Sequence, residues 1–381
     1  YHPLLWVPIN PEDCGWIQGN DYGFPNRVLQ HVILSRWLPA WRSDLVEPFY
    51  AAVLALHMLT ALLIYALFLR LVGTMRCRFP HGAAARHVGA AAAASLFLCY
   101  QAVNLVYLSA ISYQLVTVAT LLAFIFTLVY LDRRHPLLWL PVVAAKVLAI
   151  LAHTYGMGLV ALIGLTELFW RRSSPVCPPA GRWWLRYGVL GLIMAAQLLV
   201  YHPIYLRQID YFGWGQGSIL ADPIRFGRYL ELGIVDLLVH AQIGIRHDYT
   251  LFGAPKFELP WHPGLTLAAA LALAAVALVQ LLRRRPMDIP GMALLFFIAW
   301  SAMAFVVNRR APGWDHYMWR YYFNVAGLCL VAPFAFLSLA RRLAGRRGWR
   351  ATLPPSFLLP LFLLLPSPSL PLPFPLLLPS S

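Results

Sequence analysis

Long apolar runs alternate with short polar turns along most of this chain. The runs are centred on Leu59, Ala94, Phe124, Val143, Leu162, Met194, Leu273, Phe297 and Val331. At a rise of about 1.5 Å per residue, the longer runs match a hydrocarbon core of about 30 Å. The pattern predicts an all-α chain, a polytopic transmembrane helical bundle of about nine spans. The two shortest runs, near 136–152 and 156–171, must be thin, tilted or re-entrant. The predicted division is an outer segment over 1–47, six spans over 48–201, a long outer loop over 202–262 and three spans over 263–340. A basic, then Pro- and Leu-rich tail fills 341–381, and its frequent prolines oppose a stable helix.

Charge gives the pattern a direction. Of 15 acidic residues, all but Asp132, Glu167 and Asp288 fall on one set of connections. The other set carries Arg76, Arg133/Arg134, Arg171/Arg172, Arg283 to Arg285 and Arg341/Arg342. The positive-inside rule makes the arginine-bearing connections cytoplasmic and the acidic ones outer. This assignment puts 1–47 outside, which calls for a further transmembrane helix upstream of Tyr1.

Composition agrees with this reading, with 60% hydrophobic and 12% charged residues over 381 positions. The net charge of +15 could suggest nucleic acid, but the excess sits in short inner loops that topology already explains. No nucleic-acid partner is expected; membrane lipids are. The five cysteines are divided among outer, inner and span positions, so no disulfide framework or Cys-based zinc site follows. The phosphate loop GxxxxGK[ST], the zinc motif HExxH and the nucleophile elbow GxSxG are absent. ATP-driven transport and zincin-type proteolysis therefore have no support.

Three groups of residues could carry chemistry. The first outer segment holds Glu12-Asp13 and Asp21; a carboxylate there can deprotonate an acceptor hydroxyl or hold a divalent cation. Asp and Asn beside Gly are also common turn formers, so both readings stay open. The last outer loop packs Arg309, Arg310, His316 and Arg320 among aromatics before a span. Cations there run against the charge rule, and a lipid phosphate or simple headgroup anchoring would account for them. Lys146 falls inside a span, with His153 seven positions later and Tyr155 beyond it. An ionisable residue at that depth is a functional candidate, while snorkelling and capping are the structural alternatives.

The order of elements resembles integral-membrane glycosyltransferases of the GT-C type, in the protein O-mannosyltransferase and aminoarabinose-transferase-like group. An acidic outer loop leads through FPNRVLQHVILSRWL, expected as an interfacial helix over about Arg27–Trp37, into EPFYAAVLALHMLTALLIYALFLRLVG. AAAASLFLCYQAVNLVYLSAISYQLVTVATLLAFIFTLVYLDRR is similar to the family's next helix pair. LAHTYGMGLVALIGLTELFWRR and HYMWRYYFNVAGLCLVAPF match later elements, so the likeness covers roughly residues 10–340. The resemblance implies a GT-C-like fold and sugar transfer from a polyprenyl-phosphate donor to a lipid, glycan or protein acceptor, with inversion at the sugar. It makes Asp21, then Asp13, the catalytic base and Arg320 the phosphate-binding arginine. Arg309, Arg310, His316, His153, Tyr155 and Lys146 complete the expected substrate contacts. The acidic pair found in many members is split here between Asn20-Asp21 and Glu12-Asp13. No cofactor is assigned, although the carboxylates leave room for a divalent cation. A bacterial inner membrane fits the Ala-, Leu- and Arg-rich composition, and an endoplasmic-reticulum membrane would obey the same charge rule. The alternative function is a lipid or glycolipid carrier without transferase activity.

Overall fold

A computed structural model describes residues 32–33, 46–74, 82–102, 111–173, 183–212, 223–235, 263–283, 289–308, 326–334 and 337. Helix is the only regular structure among these residues, which makes the described fold all-α. The helices are α1 (Val46–Thr74), α2 (Ala83–Ala102), α3 (Ile111–Arg133), α4 (Trp139–Ala152), α5 (Leu159–Ser173), α6 (Trp183–Phe212), α7 (Pro223–Val235), α8 (Pro263–Leu282) and α9 (Ile289–Asn308). A further helical stretch covers 326–334. Two 3-10 turns, Pro136–Leu138 and Thr154–Gly158, precede and follow α4.

All nine predicted centres lie inside helices. Spanning length is a stricter test. Among the described residues, only Ala51–Gly73 and Ile111–Arg133 are long and apolar enough, by length and composition, to cross a membrane. Five other described helices contain shorter apolar stretches, and α4, with 14 residues, is about 21 Å long. The expected interfacial helix lies outside the described residues except for 32–33.

The termini of several helices follow from proline and backbone geometry. Pro136 opens the first 3-10 turn, and α7 and α8 begin at Pro223 and Pro263, where a missing amide costs no intrahelical bond. α3 stops at Arg134, whose φ of 55° is left-handed and whose amide donates to the Tyr130 carbonyl at 2.7 Å. Past the predicted end of the sixth run at 201, α6 continues to Phe212. α7, which also falls within 202–262, packs on α8 and α9.

α3 is the centre of the described bundle, packed on α1, α4 and α5. Phe124 stacks on Phe296 of α9 with centroids 5.1 Å apart. The α3 threonines Thr117, Thr120 and Thr127 each donate to the carbonyl four residues back. Their hydroxyls are thus satisfied within the helix and leave α3 free to pack among apolar neighbours.

Two aromatic layers fix the antiparallel register of α3 and α4. Tyr113 meets His153 at 4.7 Å, and Tyr130 meets Trp139 at 5.2 Å. The two tyrosines are separated by 17 positions of α3, a distance of about 25 Å. The second layer marks an arginine-rich end. There Arg186 lies over the Tyr130 and Trp139 rings, 4.8 and 5.3 Å from their centroids. Glu167, buried on α5, accepts hydrogen bonds from Arg171, Arg186 and the Tyr187 hydroxyl, the last at 2.7 Å. Arg70 of α1 pairs with Asp132 of α3, so these two helices run parallel.

Candidate functional site

The opposite end carries the expected Lys146, His153 and Tyr155. α4 ends at Ala152, and His153 is extended, with φ −163° and ψ 151°. His153 therefore lies past the end of α4; the shared helix face that its seven-residue spacing predicts stops one residue short. The turn Thr154–Gly158 instead folds back over α4 and brings the groups together. Lys146 is 0% exposed, and its Nζ donates to the Gly156 carbonyl. The Nζ thus reaches the turn rather than snorkelling to the surface.

A glycine is required at the closest point of that fold. A Cβ at Gly156 would lie 2.5 Å from the Ala149 carbonyl oxygen and 2.6 Å from the Ile150 nitrogen. The Gly156 amide donates to the His153 carbonyl at 2.9 Å, and the Leu159 amide donates to the Gly156 carbonyl. The turn is held by its own backbone before any ligand arrives.

The His153 ring lies 4.7 Å from Tyr113 and 4.2 Å from Tyr155, and Tyr113 meets Tyr155 edge-on at 5.7 Å. His153 Nδ1 accepts from the Tyr155 amide at 3.2 Å. An accepting Nδ1 places the proton of the neutral imidazole on Nε2, leaving that atom as the ring's donor. The cluster therefore supplies a lysine amino group, an imidazole N–H and two phenols within one buried region. Donors of this kind suit an oxyanion or a hydroxylated ligand. Tyr113 was not among the expected contacts; a Tyr at the start of an apolar run, between Ser112 and Gln114, was its only sequence signal.

Gln114 adds a polar group near this end. It is 1% exposed, and neither amide atom has a hydrogen-bond partner among the described residues. Further along α3 an apolar cleft is lined by Leu67, Thr117, Thr120, Phe124, Phe296 and Trp300, with others. Its free volume is about 40 Å³, far below the roughly 300 Å³ of a small-molecule site, so it cannot enclose a sugar as it stands.

Asp13, Asp21, Arg309, Arg310, His316 and Arg320 lie outside the described residues. Among the described residues, no three His, Cys, Asp or Glu side chains converge to hold a metal ion. No family model, curated protein or solved structure matches this chain.

Proposed function

We propose that this chain is a membrane glycosyltransferase that moves a sugar from a polyprenyl-phosphate donor to an acceptor hydroxyl on the outer face. The observation that carries the reading is the gathering of Lys146, His153 and Tyr155 at the end of the bundle opposite the arginines. Exposed leucines support the membrane placement. Leu192 and Leu199 of α6 are 71% and 78% exposed, an unfavourable display in water and an ordinary one in lipid. The resemblance to GT-C glycosyltransferases supports the multi-span topology and the choice of donor.

In the proposed reaction the acceptor oxygen attacks the anomeric carbon while the bond from that carbon to the phosphate oxygen breaks. The acceptor proton passes to Asp21 or Asp13, and the polyprenyl phosphate leaves with the electron pair. Direct displacement inverts the anomeric centre. Arg320, Arg309, Arg310 and His316 hold the leaving phosphate, and Lys146, His153 and Tyr155 supply further donors to phosphate or sugar. Orientation and charge stabilisation provide most of the rate.

A lipid or glycolipid carrier is the second reading, and the break between α4 and α5 favours it, since carriers use interrupted helices around their substrates. Vesicles holding the full chain and radiolabelled polyprenyl-phosphate hexoses separate the two. Label reaching an acceptor, and lost in Asp21→Asn, supports transfer with Asp21 as base. Movement of intact donor with no acceptor product supports the carrier.

A further inference from the structure

We infer that the arginine-rich end binds an anionic membrane lipid, with the turn between α3 and α4 receiving its phosphate. The inference rests on the membrane placement proposed above and not on the chemistry at the other end. Arg70, Arg133, Arg134, Arg171 and Arg186 lie here with two carboxylates, Asp132 and Glu167. Asp132 is taken by Arg70, and Glu167 is shared by Arg171 and Arg186. Arg133 and Arg134 are exposed and have no carboxylate partner among the described residues.

The turn that carries them is well anchored. It hangs between Tyr130 and Trp139, both packed on the Arg186 guanidinium, and the Arg134 amide is bonded back to Tyr130. Trp139 and Trp183 both contact the Tyr187 ring, so the start of α6 adjoins the same turn. Two guanidinium groups on a fixed turn match a phosphate, which arginine binds through paired hydrogen bonds.

The surface below the turn identifies the phosphate as a lipid's. Leu137 and Leu140 are exposed immediately after Arg134, and Trp184, Leu185 and Leu192 are exposed along α6. Free phosphate would use only the arginines. An anionic phospholipid would use both, with its head on Arg133 and Arg134 and its chains along the leucines of α4 and α6. Basic sites between helices on the inner side of a membrane have this composition.

The test uses the full chain in vesicles of phosphatidylcholine, with or without phosphatidylglycerol, followed by native mass spectrometry of the retained lipid. Wild type should retain phosphatidylglycerol in preference to phosphatidylcholine. Arg133→Gln combined with Arg134→Asn should weaken that retention by roughly ten- to thirty-fold, since each arginine contributes about 1 kcal/mol near a membrane surface. Asn suits the left-handed backbone at 134, and an unchanged Tm would show that the variant is folded. Arg283→Gln, a charge loss at the end of α8, should leave the preference intact.

Equal retention by wild type and double variant would overturn the inference, as would an equal loss in Arg283→Gln or full displacement by inorganic phosphate. Failure to insert into either vesicle would remove the membrane placement and this inference together. Insertion without lipid preference would remove this inference alone.

Discussion

Lys146 and Gly156, ten residues apart, are joined by a hydrogen bond from the lysine Nζ to the glycine carbonyl across the end of α4. That carbonyl also accepts from the Leu159 amide, so it keeps a partner when the lysine is removed. Lys146→Met should therefore leave thermal stability within about 1 kcal/mol, because an apolar stem of similar volume carries no charge to desolvate. Sugar transfer should fall by at least about tenfold, the effect of losing one charge-assisted contact to phosphate. A folded variant with full transfer would take Lys146 out of the donor site.

Gly156→Ala should destabilise the chain by about 1–3 kcal/mol, because its Cβ would press on the α4 backbone, which cannot rotate aside. Gly191, inside α6, has open space around the same Cβ. Gly191→Ala should stabilise by up to about 1 kcal/mol through helix propensity. Thermal unfolding of the two variants in one detergent checks both signs, and equal shifts would disprove the close packing at Gly156.

Glu167→Gln should cost about 3–5 kcal/mol, since it leaves Arg171 and Arg186 facing each other without their shared carboxylate. The pair Arg70 and Asp132 is more exposed, at 30% and 27% of their side chains, and Asp132→Asn should cost less than about 1 kcal/mol. Denaturant titration of the two variants gives the comparison. Similar losses would mean that Glu167 is better solvated than its burial indicates.

Gln114→Leu separates a stability role from a binding role. Its amide is buried without a hydrogen-bond partner among the described residues, so an apolar replacement should stabilise by about 1 kcal/mol or more. A rise in Tm with unchanged transfer would make the amide an uncompensated core group. A rise in Tm with a raised KM would assign it a ligand.

The helices were legible in the sequence because apolar runs leave the backbone little choice but to bond internally, and each predicted centre, from Leu59 to Val331, lies in one. Their ends were less legible: hydropathy does not register that the backbone turns extended at His153. Lys146, His153 and Tyr155 stood out as polar groups in apolar surroundings. Tyr113 did not, because it reaches them from α3 through tertiary packing. The bond between Glu167 and Arg171 follows from four-residue helical spacing, whereas Arg186 joins them across a helix pair, a contact no local pattern encodes.

Under the membrane placement proposed above, the shortness of α4 and α5 would bear on the bilayer around them. Helices of 14 and 15 residues are about 21–23 Å long, less than an average hydrocarbon core, so in that placement lipid beside them would compress or expose its tails. Hydrophobic mismatch then becomes a property of the host membrane as much as of the protein. Short acyl chains would relieve the strain and thick, sterol-rich bilayers would deepen it, so this chain should partition toward thin membranes.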